Sequence, residues 1–157
     1  MLYLLTTRGI PQIYYGTEIL MTGDKADGDG TLRKDFPGGW PGDKADCFTP
    51  QGRTELQNAA FDYTRKLLQW RKGNEVISQG TMKHFSIAHG TYVYERRYKN
   101  RSAVVIMNGT DQPQELELAP YREVLPKTQA TDVLTGKTVK LDSILSLEGR
   151  ESLLLCF

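Results

Sequence analysis

The chain has 157 residues, with 20 Lys plus Arg against 19 Asp plus Glu and a formal net charge of +1. That length suffices for one ordinary domain, or for a compact domain with an attached segment. The charge balance gives no electrostatic reason to expect nucleic acid or an anionic membrane surface as a partner, and two cysteines do not make a disulfide framework.

The opening apolar run, Leu2–Leu5, has no basic stretch before it and is too short for a signal peptide or a membrane span. It looks like an element entered midway. Gly9 and Pro11 punctuate its end, and Gln12–Gly16 fits a short strand stopped by glycine. Helix end, tight turn and strand form an αβ connection of an α/β domain, whose other parallel strands are absent from the sequence. Residues 17–53 follow without sustained periodicity, a loop length that is usually functional or disordered. Phe36 and Trp40, embedded among glycines and prolines, argue for local packing or a ligand-facing wall.

A helix is predicted over residues 55–72. Thr54 and Gln57 form a capping box, and Leu56, Ala60, Tyr63, Leu67 and Trp70 recur at helical spacing. Arg71 and Lys72 suit the negative end of its dipole, Gly73 suits a C-cap, and Asn74 caps a short following turn. From Gly80 the period becomes that of strands, with candidates at 81–87, 91–97, 103–107, 114–118 and 152–157 and weaker ones at 122–125, 130–134 and 138–141. Short strands at this spacing predict an antiparallel sandwich or barrel. Ala103–Met107, apolar throughout, is expected to be a central strand. Arg96, Arg97, Lys99 and Arg101 fall at a hairpin and read as a solvated surface cluster. His84 and His89 read as structural or surface residues, and Cys47 with Cys156 permits at most one bridge.

Six loop aspartates, Asp24, Asp27, Asp29, Asp35, Asp43 and Asp46, invite a metal-site reading. The spacing from Asp24 does not match a calcium loop and no Glu closes it, so turn aspartates are expected and no metal or cofactor is assigned.

The run Arg8–Met21, Arg-Gly-Ile-Pro-Gln-Ile-Tyr-Tyr-Gly-Thr-Glu-Ile-Leu-Met, resembles the eighth-strand region of the α-amylase superfamily, glycoside hydrolase family 13. Leu67–Asn74 is similar to that family's last barrel helix, and the β-rich remainder to its C-terminal domain C. Asp29–Trp40 is similar to the neopullulanase and cyclomaltodextrinase branch. The resemblance implies a mainly β fold: a C-terminal antiparallel Greek-key β-sandwich over residues 79–157. Preceding it, over residues 1–78, would lie the last strand, long loop and last helix of a truncated (β/α)8 barrel.

It further implies a parent enzyme that hydrolyses α-glucosidic bonds of starch, pullulan, cyclodextrins or maltooligosaccharides with retention. The family's nucleophilic Asp, its acid/base Glu and its stabilising Asp lie on earlier strands, and none can be matched here. The implied cleft wall comprises Glu18, Arg33, Asp35, Phe36 and Trp40. Arg33 is placed either to bind sugar hydroxyls or to fix Asp29 or Asp35. Phe36 and Trp40 are placed either to stack on a glucose ring or to pin the loop. Glu18 is not at a catalytic position of the family.

The expected partners are the missing barrel, an α-glucan bound by the parent, and further copies of the chain through the exposed barrel remnant. A different class of reading is an autonomous carbohydrate-binding module, with Tyr92, Tyr94, Tyr98 and Tyr121 as its stacking residues. Nothing in the sequence indicates a compartment.

Overall fold

Alternation of apolar side chains beyond Gly80 builds two sheets in the computed structural model, which describes every residue from Met1 to Phe157. The larger is formed by β1 (Thr81–His84), β2 (Thr91–Tyr98), β3 (Arg101–Asn108), β5 (Gln129–Asp132), β6 (Thr138–Lys140) and β8 (Ser152–Cys156). Their order is β1-β2-β3-β8-β5-β6. The smaller pairs β4 (Gln114–Glu117) with β7 (Ile144–Leu147). Every pairing is antiparallel. The mainly β, antiparallel class expected from the strand spacing is what forms. The run 144–147, absent from the expected strands, is β7, whereas 122–125 is not a strand but places Val124 and Leu125 in the core.

Register explains how the apolar strands are used. Val93, Ile106 and Leu153 stand across from one another, as do Val104 and Leu155. All five point into one core with Leu116, Leu145 and Leu147 from the small sheet and with Leu118, Tyr121, Val124 and Leu125. The intervening residues Tyr94, Val105 and Leu154 are also in register and also buried, on the opposite face. Because β3 and β8 are covered on both faces, they are apolar throughout rather than alternating. Asp132, fully buried, ties the β5 end to β8: its carboxylate accepts from the amides of Leu154 at 3.0 Å and Thr135 at 2.9 Å.

The chain resolves into two compact units, one of residues 1–9 with 70–157 and one of residues 10–69. In the first, α1 (Leu2–Thr6) and α3 (Glu75–Ser78) attend the Tyr94 face of the large sheet. Arg96 links them. Its Nη1 donates to the carbonyls of Thr6 at 2.8 Å and Thr7 at 3.0 Å, its Nη2 to Ile77 at 2.7 Å and Gly80 at 2.9 Å, and its Nε to Thr81 at 3.2 Å. This corrects the solvated-cluster expectation for Arg96, which is 3% exposed. Its strand neighbour Arg97 is half-buried and pairs with the buried Glu95 at 2.5 Å. The physical reason is parity: Arg96 shares the face of Tyr94, which α1 and α3 cover. All five guanidinium N–H groups find carbonyl acceptors, so the charge can be buried without a carboxylate. Burial nonetheless pulls the Arg96 pKa down from its ordinary value.

In the second unit the main element is α2 (Glu55–Arg71), which starts where the capping box predicts. Thr54 N–H donates to Gln57 Oε1 at 2.9 Å and Gln57 N–H to Thr54 Oγ1 at 3.2 Å. The expected strand at Gln12–Gly16 does not form; residues 10–14 are irregular and 15–16 turn. A parallel strand needs neighbouring strands to take its backbone groups, and no segment of this chain pairs with it. No helix is long and apolar enough to cross a membrane. Cys47 and Cys156 are both free thiols.

Candidate functional site

The segment that carries the α-amylase resemblance is organised by Gly16. Its φ of +85° favours glycine, and a Cβ there would strike the Met21 side chain. Its carbonyl accepts from Met21 N–H at 2.9 Å and Ile19 N–H at 3.2 Å, which curls residues 17–19 into a helical turn. Thr17 Oγ1 donates to the Tyr14 carbonyl at 2.7 Å and closes the preceding turn. The rings of Tyr14 and Tyr15 meet at 4.6 Å, tilted by 40°.

Two clefts flank this tyrosine pair within residues 10–69. One, of about 480 Å³, lies between Tyr14, Tyr15, Ile13 and Glu18 on one side and Phe61 and Leu68 of α2 on the other. The second, of about 340 Å³, is more polar, with Thr17, Thr22, Thr31 and Lys34 around the same tyrosines. Tyr15 spans the long loop by donating its hydroxyl to the Lys34 carbonyl at 2.9 Å, and Lys34 Nζ reaches back to the Thr22 carbonyl at 3.1 Å. The Tyr15 phenol is held above its ordinary pKa chiefly by its hydrogen bond with Tyr14, then by desolvation and by the charges of Tyr14 and Asp35, with Arg33 opposing. Asp35 and Arg33 therefore lie within electrostatic reach of the tyrosine pair.

Three of the six loop aspartates are occupied with backbone. Asp24 accepts from Ala26 N–H at 2.8 Å, Asp43 from Gly38 N–H at 2.7 Å and Trp40 N–H at 3.1 Å, and Asp46 from Phe48 N–H at 3.0 Å. These are turn-forming bonds that short acidic side chains favour.

Of the residues expected on the cleft wall, Glu18 lines the apolar cleft. Arg33 and Asp35 are exposed on the loop, and Arg33 forms no ion pair with Asp29 or Asp35. Phe36 is half-buried against Phe48, with ring centroids 4.6 Å apart, while Trp40 is 63% exposed. Phe36 thus packs within the loop, and Trp40 presents its indole to solvent. The candidates are not gathered into a single pocket. Arg53 is a residue the sequence did not single out: its guanidinium lies 3.8 Å over the Phe61 ring and bonds Asn58 Oδ1 at 2.9 Å, fixing the start of α2.

With this geometry in hand, residues 82–156 match the protein family described as the cyclo-malto-dextrinase C-terminal domain. The chain is 34% identical over 132 residues to an α-amylase of Niallia circulans, a match covering 84% of this chain and 21% of that protein. It is 30% identical over 134 residues to a cyclomaltodextrin glucanotransferase of Thermoanaerobacterium thermosulfurigenes, covering 85% of this chain and 16% of the relative. Residues 82–156 are thus similar to the C-terminal domain of α-amylase-type enzymes.

The α-amylase-type domain is also recognisable by shape. An α-amylase from Geobacillus thermoleovorans superposes with a TM-score of 0.72 at 25% identity, covering 99% of this chain and 31% of the other. An Anoxybacillus α-amylase superposes at 0.74 with 21% identity, again over 99% of this chain and 30% of the other. The chain spans about a fifth of the length of the curated relatives it matches, 21% and 16% in the two named.

Proposed function

We propose that this chain is the C-terminal part of an α-glucan hydrolase of the neopullulanase and cyclomaltodextrinase branch. In this reading residues 79–157 are a β-sandwich that supports the catalytic barrel, residues 1–78 are the barrel's last portion, and the chain is not catalytic by itself. The observation that carries it is the match of residues 82–156 to a cyclomaltodextrinase C-terminal domain, joined to a segment with the Gly16 turn and tyrosine pair. Retaining hydrolysis of a glycosidic bond uses two carboxylates about 5–5.5 Å apart. Across the two clefts beside Tyr14 and Tyr15, Glu18 is the sole carboxylate among the lining residues. A single carboxylate supplies neither the nucleophile–acid pair of a retaining enzyme nor the base–acid pair of an inverting one.

Glu18, Arg33, Asp35, Phe36 and Trp40 then serve as a wall of the parent's sugar cleft rather than as its chemistry. Trp40 is the residue among them whose exposed ring suits stacking on a sugar. Incubating the purified chain with maltoheptaose and following reducing ends should give no turnover. Release of reducing ends above a heat-killed control would overturn the non-catalytic reading.

A further inference from the structure

The β-rich unit has its own groove, which shares no lining residue with the clefts just described. It is about 390 Å³ in volume and lies at the end of β1 and the start of β2, lined by Tyr3, His84, Phe85, Ser86, Ile87 and Tyr92. That volume falls within the about 300–1,000 Å³ of small-molecule sites. Tyr3 is 52% and Ile87 68% exposed, so the wall is open to solvent. The rings form a continuous set: Tyr3 and Tyr92 have centroids 6.4 Å apart at 47°, and His84 meets the Tyr92 ring edge-on at 6.2 Å.

The chemistry of this lining is selective. A quarter of the chain is Asp, Glu, Lys or Arg, at 25%, yet none of the six lining residues is. The groove is therefore matched to an uncharged occupant. It is also not a plain apolar face, because two phenol hydroxyls, an imidazole and the Ser86 hydroxyl border the rings and supply both donors and acceptors. Rings for the C–H faces of a pyranose and neutral hydrogen-bonding groups for its hydroxyls are what a neutral polyol needs.

We propose that this groove is a binding site for a segment of α-glucan, at which the Tyr3 and Tyr92 rings stack on glucosyl units and His84 and Ser86 bond their hydroxyls. The choice of an α-glucan rests on the proposed function, whereas the preference for a neutral sugar rests on the groove itself. The site differs from the platform expected of Tyr92, Tyr94, Tyr98 and Tyr121. Tyr94 is 0% and Tyr121 6% exposed, so neither presents a ring face to a ligand.

The full chain should be retarded in native gels containing soluble starch, and maltoheptaose titrated against it should shift the His84 ring proton resonances. Tyr92→Ala is expected to weaken binding at least about tenfold, as loss of a central aromatic anchor does. Ile87→Lys keeps an exposed position exposed while bringing a charge and a long side chain to the groove, and it should weaken binding similarly without loss of folding. Tyr98→Ala, outside the groove, should bind as the parent chain does. Absence of both retardation and shift for the unaltered chain, or unchanged binding in Ile87→Lys, would refute the site. Binding of cellohexaose as tight as that of maltoheptaose would refute its α-glucan assignment. None of these failures touches the non-catalytic support reading, which the turnover assay decides separately.

Discussion

Arg96 concentrates more polar structure than any other side chain in the β-rich unit, because five backbone carbonyls from α1, the α3 exit and β1 converge on one guanidinium. Removing it leaves the buried carbonyls of Thr6 and Ile77 and the half-buried carbonyls of Thr7 and Gly80 without that donor, each buried loss costing about 1–3 kcal/mol before relaxation. Arg96→Met is therefore expected to lower unfolding free energy by on the order of 3 kcal/mol, with the denaturant slope unchanged. Arg96→Lys retains the charge but cannot span five acceptors with three donors, so its midpoint in urea should fall between the two. A midpoint for Arg96→Met within experimental error of the parent chain's would show that the clasp contributes nothing net.

Beneath it lies Tyr94, whose phenol pKa burial drives well above 10 despite the opposing hydrogen bond with Thr6 Oγ1 at 2.5 Å. The folded state thus holds this proton after the unfolded state has released it. Stability from the neutral phenol is complete below the unfolded pKa near 10 and declines as pH rises above it. Tyr94→Phe, measured by thermal melting between pH 9 and 11.5, should lose less stability over that interval than the parent chain; parallel curves would contradict the assignment.

At the level of elements, legibility in the sequence followed whether an element's cause is local. The start of α2 was readable because Thr54 and Gln57 satisfy each other's amides within four residues, and Asn74 likewise caps α3 by accepting from Val76 N–H at 3.1 Å. The centrality of β3 was readable because a strand buried on both faces must be apolar at every position. Residues 144–147 carry no strand signal of their own, because only Leu145 and Leu147 of β7 face the core, a two-residue alternation too short to separate from loop. Gln12–Gly16 misled for the opposite reason. Its apolar, aromatic composition suits a strand, but strand formation is a pairwise property and the required neighbours are not in this chain.

Arg96 shows the same limit for a side chain. Its neighbours in sequence are Glu95 and Arg97, which bond each other with Glu95 buried, and nothing within five residues reveals that α1, ninety positions earlier, covers the face of Arg96. Of the candidate site, the run Arg8–Met21 was legible as a motif and Gly16 as a stop, but the contact of the Tyr14 and Tyr15 rings was not, because adjacent residues of an expected strand point to opposite faces. The half-burial of Phe36 was not legible either, because it depends on Phe48, twelve residues further along the loop.

At the scale of the whole molecule, apolar surface is distributed unevenly between the two units. Of the 25 buried core residues only Ile19, Cys47 and Leu67 belong to residues 10–69, whereas ten of the 14 exposed large hydrophobics do, among them Ile10 at 99%, Leu56 at 70%, Phe48 at 65% and Trp40 at 63%. A segment with so little interior has few contacts to oppose local opening, while β2, β3 and β8 hold the core of the other unit. Amide exchange should therefore be biphasic, with residues 10–52 exchanging well before Val93, Val104, Ile106 and Leu155. Exposed apolar surface of this kind also favours association, and an unpaired backbone at Ile10–Tyr14 adds a place for it. Light scattering should give a concentration-dependent mass above the 17.7 kDa of one chain. Replacing Ile10 and Leu56 with serine, both on the surface and outside the core, should return that mass towards the single chain without altering the slow amides. A monodisperse single-chain mass at all concentrations, together with protected amides across residues 10–20, would mean that this segment is as self-sufficient as the sandwich.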